Sequence, residues 1–246
     1  MNSEGESTLA DLPHCEPTSP QGALASLTVG ELRPTQNAVG MDEVNEKAEK
    51  IASMSASKLA DYLLQRPIPV VIGEEAGYYM IDHHHLARAL WDAGKRETNV
   101  PIVVAENWGV LRGPHFWKAM ARRNWAYPFD GMGSGPTKPT LIKPHVKDLE
   151  NDLYRSLAWY VRERYGFIKD LSNPIYAEFK WASFFRSRVI FWDALLDWPE
   201  SNPVKMTLQY ILEQHADEYS DKTAYALYLA GSPDARGLPG FIGCQC

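Results

Sequence analysis

The sequence predicts an α+β protein, a mixed-sheet core followed by a C-terminal helical lobe. Three observations carry this. Short apolar runs bounded by Gly and Pro recur through the first half of the chain. From Asp148 onward, apolar residues recur at helical spacing. Hydrophobic residues make up 45% of the 246, enough for a sizeable core. Strands mixed with helices first, then helices alone, is an α+β order.

In chain order, Met1 to Gln21 is polar, with Ser, Glu, Pro and Gly throughout, and a disordered tail is expected over 1–24. The core spans 25–110. Ser26 to Val29 reads as a strand, broken by Gly30 and Pro34 into a loop with Glu31, Arg33, Thr35 and Gln36. Met41 to Gln65 is helical by its spacing of Val44, Ala48, Ile51, Leu59, Tyr62 and Leu63, with Asp42 as the expected N-cap and a break near Ser53 to Ser57. Pro69 to Ile72 and Tyr78 to Ile81 read as a hairpin around Glu74 to Gly77. A helix follows Asp82, its buried stripe marked by Leu86, Ala87, Leu90 and Trp91 and its end by Gly94. Pro101 to Ala105 is a further strand.

Residues 111–147 read as a connector. His115 to Asn124 has the length of a short helix, Gly131 to Pro136 is flexible, and Pro136, Pro139 and Pro144 each remove a backbone donor. The lobe, 148–246, is read as helices over roughly Asp148 to Tyr165, Pro174 to Leu196, Pro203 to Tyr219 and Lys222 to Leu229.

Charge and cysteine usage narrow the function. The formal net charge of -6 argues against broad, sequence-independent nucleic-acid binding, which needs Lys and Arg at phosphates, although a local basic patch stays open. Three cysteines, Cys15, Cys244 and Cys246, form no disulfide framework and fit a reducing cytoplasm, the expected location. Cys244 and Cys246 alone make a poor closed metal site. No stretch approaches a membrane span, and the first residues lack a secretory signal's basic start and apolar run.

The segment Asp82-His83-His84-His85 is the most informative. It falls where a strand gives way to a helix, whose first turn carries unpaired amides and the positive end of the dipole, a ready site for phosphate. Imidazoles there can donate to phosphate and move protons near neutral pH. Asp82 can cap the helix, hold a metal or orient a His. Against this stands a capped helix with three surface histidines that point in three directions. Glu178 and Trp181 share a helix face. Lys118, Arg122 and Arg123 form a small basic stripe, which usually means a solvated face. Gly131 to Gly135 lacks the Gly-Lys-Ser/Thr ending of a P-loop.

The run Tyr78-Tyr79-Met80-Ile81-Asp82-His83-His84-His85-Leu86-Ala87-Arg88-Ala89-Leu90 resembles the signature of the ParB/sulfiredoxin superfamily: an apolar strand, Asp-Gly-His-His-Arg, then a helix. Within it, the chain is most similar to the ParB-like nuclease family. Leu32 to Gln36, Tyr154 to Ala158, Glu178 to Arg186 and Leu238 to Phe241 extend the likeness over about residues 25 to 242. The resemblance implies a ParB/sulfiredoxin-like fold. It also implies a nucleotide- or phosphate-binding site at Asp82 to His85, faced across a cleft by Glu31 to Gln36. Members use CTP, ATP or ADP, so those nucleotides with Mg²⁺ are the implied ligands. Phosphoryl transfer or hydrolysis is the first expected activity. A metal-dependent nuclease and a non-catalytic nucleotide- or metabolite-binding regulator are the alternatives, with nucleic acid the less expected partner.

The resemblance and the chemistry of the residues together give the expected roles. Asp82, His84, His85 and Glu31 would be catalytic, with Asp82 also the metal ligand. His83, Thr35, Gln36, Arg155, Ser156 and Glu178 would bind phosphate or ligand. From the residues alone, Arg155 either clamps phosphate or pairs with Glu178 as a link between helices. The chain departs from the motif twice: His83 stands where Gly is usual, and Leu86 where the phosphate-holding Arg is usual. Arg88 lies on a different helical face, and sulfiredoxin's Cys is absent.

Overall fold

The computed structural model describes residues 8–168, 176–188 and 221–243. The chain forms two compact units, Met1–Asn151 and Asp152–Cys246. Both α and β structure are present, as the sequence patterns require.

The first unit is built on a five-stranded mixed sheet, in the order β1-β6-β4-β5-β2. Its strands are β1 (Leu24–Thr28), β2 (Leu32–Arg33), β4 (Ile68–Ile72), β5 (Tyr78–Met80) and β6 (Asn99–Asn107). β4 runs parallel to β6 and antiparallel to β5, and β2 lies parallel to β5. β3 (Ala38–Val39) and β7 (Glu150–Asn151) form a separate parallel pair. Successive side chains of a strand face opposite ways. Val70, Ile72, Tyr78 and Met80 therefore enter one core, while Val71, Tyr79 and Ile81 enter another.

Helices α1 (Met41–Ala52), α2 (Ala56–Leu64) and α3 (His84–Asp92) supply the first core through Val44, Ile51, Leu63, Leu86 and Leu90. The helical break falls where the spacing placed it, with Ser55 capping α2 by accepting the Lys58 amide at 3.3 Å. Asp42 is not the cap of α1. Gly40 holds that position, and Asp42 lies in the first turn, where its charge faces the positive end of the dipole.

Two further expectations change. The 111–147 stretch is part of the first unit, not a spacer outside it. Its helix α4 (Pro114–Arg122) places Phe116 and Met120, both 0% exposed, against Val71, Tyr79 and Ile81. Prolines at 136, 139 and 144 shape its return path without detaching it. The predicted tail is ordered from residue 8. Cys15 donates its amide to Ser26 O at 2.9 Å, and Ser26 donates to Pro13 O at 2.8 Å, so the segment pairs along the outer edge of β1. An uncovered edge would expose unpaired amides. Cys15 is fully buried, and its carbonyl accepts the Tyr78 hydroxyl at 2.7 Å.

The second unit contains α5 (Leu153–Glu163), α6 (Ala177–Arg186) and α7 (Asp221–Gly231). Ala158, Val161, Phe167, Trp181, Phe185 and Ala230 form its core, with the Phe167 and Trp181 rings stacked at 4.4 Å. The helix predicted over Pro203 to Tyr219 lies outside the described residues, as do Cys244 and Cys246. Among the described residues no helix is long and apolar enough to cross a membrane.

Candidate functional site

β5 ends at Met80, and the chain turns through Ile81, Asp82 and His83 into α3. Asp82 is exposed, and its Oδ1 accepts the His83 amide at 2.6 Å. His83 is the N-cap, with φ 64° and ψ 21°, the left-handed region. That conformation suits glycine, which explains the Gly of the resembled motif at this position. α3 thus begins at His84, one residue later than the sequence suggested.

His84 is 3% exposed. Its Nε2 accepts the Thr35 amide at 3.1 Å and lies 3.3 Å from the Thr35 hydroxyl, which donates to Met80 O at 2.8 Å. A backbone amide can only donate, so Nε2 carries a lone pair and the proton sits on Nδ1. Burial pushes the His84 pKa down to about 3, against a smaller opposing pull from the Asp82 charge. His85 Nε2 accepts the Gly40 amide at 3.0 Å and lies 3.6 Å from Glu43 Oε2. Thr35 and Gln36 are buried, and Gln36 Nε2 donates to Ala38 O at 2.6 Å. The Thr35 carbonyl takes the Tyr127 amide at 2.8 Å.

The structure does bring the 31–40 loop against Asp82–His85. It joins them imidazole to amide, leaving no gap between those atoms for a phosphate. Nε2 of His84 and of His85 is engaged as an acceptor, so neither can donate there to an oxyanion. A buried imidazole that stays neutral near pH 7 is also a poor proton carrier. The phosphoryl-transfer reading therefore loses these two imidazole nitrogens as donors.

Glu31 has a different task from the proposed base. Its Oε2 accepts the Thr28 amide at 2.7 Å and the Thr28 hydroxyl at 2.8 Å, closing a capping box, and its Oε1 lies 3.4 Å from His14 Nε2. Leu86, standing for the usual Arg, is buried in the core. Arg88 does not replace it: Nε pairs with Asp92 at 2.8 Å, and Nη1 donates to Leu149 O at 2.7 Å. Among the described residues no three His, Cys, Asp or Glu side chains are grouped to hold a metal.

Arg155, Ser156 and Glu178 belong to the second unit. Asp152 caps α5, its Oδ1 accepting the Tyr154 and Arg155 amides at 2.9 and 3.1 Å. Its Oδ2 takes Arg186 Nη2 of α6 at 2.6 Å. Glu178 Oε1 accepts from Arg162 and lies 4.0 Å from Arg155 Nη2. Arg155 and Ser156 are buried. Of the two readings of Arg155, this geometry is that of a link between helices.

The basic stripe of Lys118, Arg122 and Arg123 is part of a longer run that the sequence reading did not join together. Residues 107–147 hold Arg112, Lys118, Arg122, Arg123, Lys138, Lys143 and Lys147 against one acid, Asp130. Seven positive charges less one negative give +6 in a chain of net -6. All the cations but Lys143 are exposed. Arg123 pairs with Glu106 at 3.1 Å and Lys143 with Glu150 at 2.8 Å. Trp108 and Trp125 stack at 5.6 Å, and the Arg123 guanidinium lies 5.2 Å from the Trp125 ring and 6.0 Å from that of Trp108. A running sum of charge along the chain would have found it.

A family model described as "Putative ParB-like nuclease" matches residues 25–187. The crystal structure of protein Atu1540 from Agrobacterium tumefaciens is 32% identical, with a TM-score of 0.71, over 92% of this chain and 99% of that one. No protein of curated function matches. With the family match covering well over half of the chain, and a relative of that identity along nearly all of it, this protein belongs to the ParB-like nuclease family.

Proposed function

We propose that this protein binds nucleic acid and cleaves it, on a first unit of ParB/sulfiredoxin-like fold. The family match supports the reading. The observation that carries it is the charge segregation: +6 over 107–147 in a chain whose total is -6. A local positive field attracts polyphosphate whatever the net charge. At the strand-to-helix junction, Asp82 is the group with an exposed carboxylate, and it is the residue we assign to orienting the attacking water. His84 and His85 hold the junction in place from within. Mg²⁺ usually takes one or two carboxylates together with substrate phosphates. The described donors do not build a resident metal site, so no step is routed through one.

The test is incubation of the purified protein with single- and double-stranded DNA and with RNA, with and without divalent cations, read on gels. Cleavage that falls about a hundredfold or more in Asp82→Ala, with the fold intact, is the expected result. Binding without cleavage would leave a regulator and remove the nuclease. Calorimetric binding of ATP, ADP or CTP, with no affinity for oligonucleotides, would restore the nucleotide-enzyme reading and sink this one.

A further inference from the structure

We infer that residues 107–129 form a docking surface for single-stranded nucleic acid, with phosphates along α4 and bases on the indole pair beside it. The inference rests on the nucleic-acid reading above and adds which form of nucleic acid is taken. Within this segment there is no Asp or Glu, four residues are Arg or Lys, and six are Trp, Tyr or Phe.

α4 divides the two functions by its faces. Phe116 and Met120 are buried against the sheet. His115, Lys118 and Arg122, at positions i, i+3 and i+7, share the opposite, exposed face. They make a ridge about 10 Å long, as a helix rises about 1.5 Å per residue. Beside its C-terminal end stand Trp125 and Trp108, half-buried and stacked with 24° between their planes. Arg123, its side chain 55% exposed, lies over both rings. Phe116 meets Trp108 edge-on at 6.3 Å and Trp117 at 5.2 Å, and Tyr79 meets Trp117 at 5.5 Å, so the indoles rest on a fixed aromatic base.

Cations in a row beside half-buried aromatic residues is the composition of a single-strand platform. A duplex buries its base faces in its own stack and presents phosphates and base edges, so it can use the ridge but cannot stack on the indoles. Of the neighbouring acids, Glu106 pairs with Arg123 and offsets its charge, and Glu74 accepts the Gly113 amide at 2.8 Å, so the positive field comes from the exposed face with Lys118 and Arg122. An acidic peptide shares the charge but offers no base to stack.

The experiment measures anisotropy of labelled oligodeoxythymidylate, oligouridylate, a short DNA duplex and polyglutamate on the full chain, at about 50 and about 200 mM salt. Both single strands should bind at least fivefold tighter than the duplex, the low end of one stacked base. Lys118→Ala with Arg122→Ala should lower the salt slope by roughly 1.4 for two lost phosphate contacts. Arg123→Glu, a surface change, should weaken single strands more than duplex. Trp125→Phe, checked for folding by circular dichroism, should reduce single-strand affinity while the salt slope holds. Equal binding of duplex and single strand, insensitive to Arg123 and Trp125, overturns this inference and leaves the nucleic-acid reading standing. Polyglutamate binding as tightly as the oligonucleotides overturns it as a charge effect alone. No binding to any nucleic acid overturns both.

Discussion

His84 shows how a polar residue in a core can specify a fold. The Thr35 amide sits in a buried loop and donates to the imidazole, so a buried backbone donor is satisfied by a side chain. The folded protein binds that ring neutral, with a pKa of about 3, whereas an unfolded histidine titrates near 6.5. The unfolded state therefore takes up a proton first as pH falls. The stability from this group is complete above pH 6.5 and is lost toward pH 3, at up to about 1.4 kcal/mol per pH unit. Urea denaturation at pH 7 and pH 5 should show this slope in the native chain and its loss in His84→Gln. His84→Ala should cost about 2–4 kcal/mol at pH 7, from the cavity and the lost hydrogen bond together. Similar stability of His84→Ala and the native chain would refute the keystone role. His83 gives a second test one residue away. Its φ of 64° penalises branched side chains, so His83→Val should be less stable than His83→Gly by about 1–2 kcal/mol in thermal melts.

The elements divide into those that sequence patterns announce and those that tertiary pairing decides. β4 and β5 are legible because their apolar runs are uninterrupted and a Gly-flanked turn separates them. α2, α3 and α5 are legible from spacing. The α4 helix is legible at His115 to Asn124, but its region is taken for a connector because its prolines draw attention from Phe116, Trp117 and Met120, whose spacing already marks a buried stripe. The tail is misread because Leu9 and Cys15 are lone apolar residues in polar surroundings, and composition cannot show that a strand edge awaits them. The resemblance put Glu31 to Gln36 opposite Asp82–His85 across a cleft, whereas Thr35 bonds directly to His84, and no periodicity reveals which amide a histidine will meet. That last gap decided the chemistry. In the second unit, Asp152 serves as both the cap of α5 and the partner of Arg186 on α6. Asp152→Asn keeps a capping oxygen and loses the ion pair, while Asp152→Ala loses both. Alanine should therefore cost about 1–3 kcal/mol, and asparagine distinctly less, in thermal unfolding. Equal losses would assign the whole effect to the ion pair.

At the scale of the molecule, charge and core are unevenly distributed. The net charge of -6 does not describe the first unit throughout, because 107–147 alone carries +6. The first unit contains that basic segment, the sheet, the Asp82–His85 junction and two apolar clusters of its own, one on each face of the sheet. A body with its own core can fold alone, and a surface wholly inside it needs nothing from elsewhere in the chain. The fragment Met1–Asn151 should accordingly unfold cooperatively in urea, with a slope reduced in keeping with the smaller area exposed. Its affinity for oligodeoxythymidylate should match that of the full chain, with the same dependence on salt. A fragment that folds but does not bind would place the nucleic-acid surface partly in the second unit. A fragment that shows no cooperative transition would mean that the two clusters flanking the sheet do not suffice, and that the first unit depends on Asp152–Cys246 for its stability.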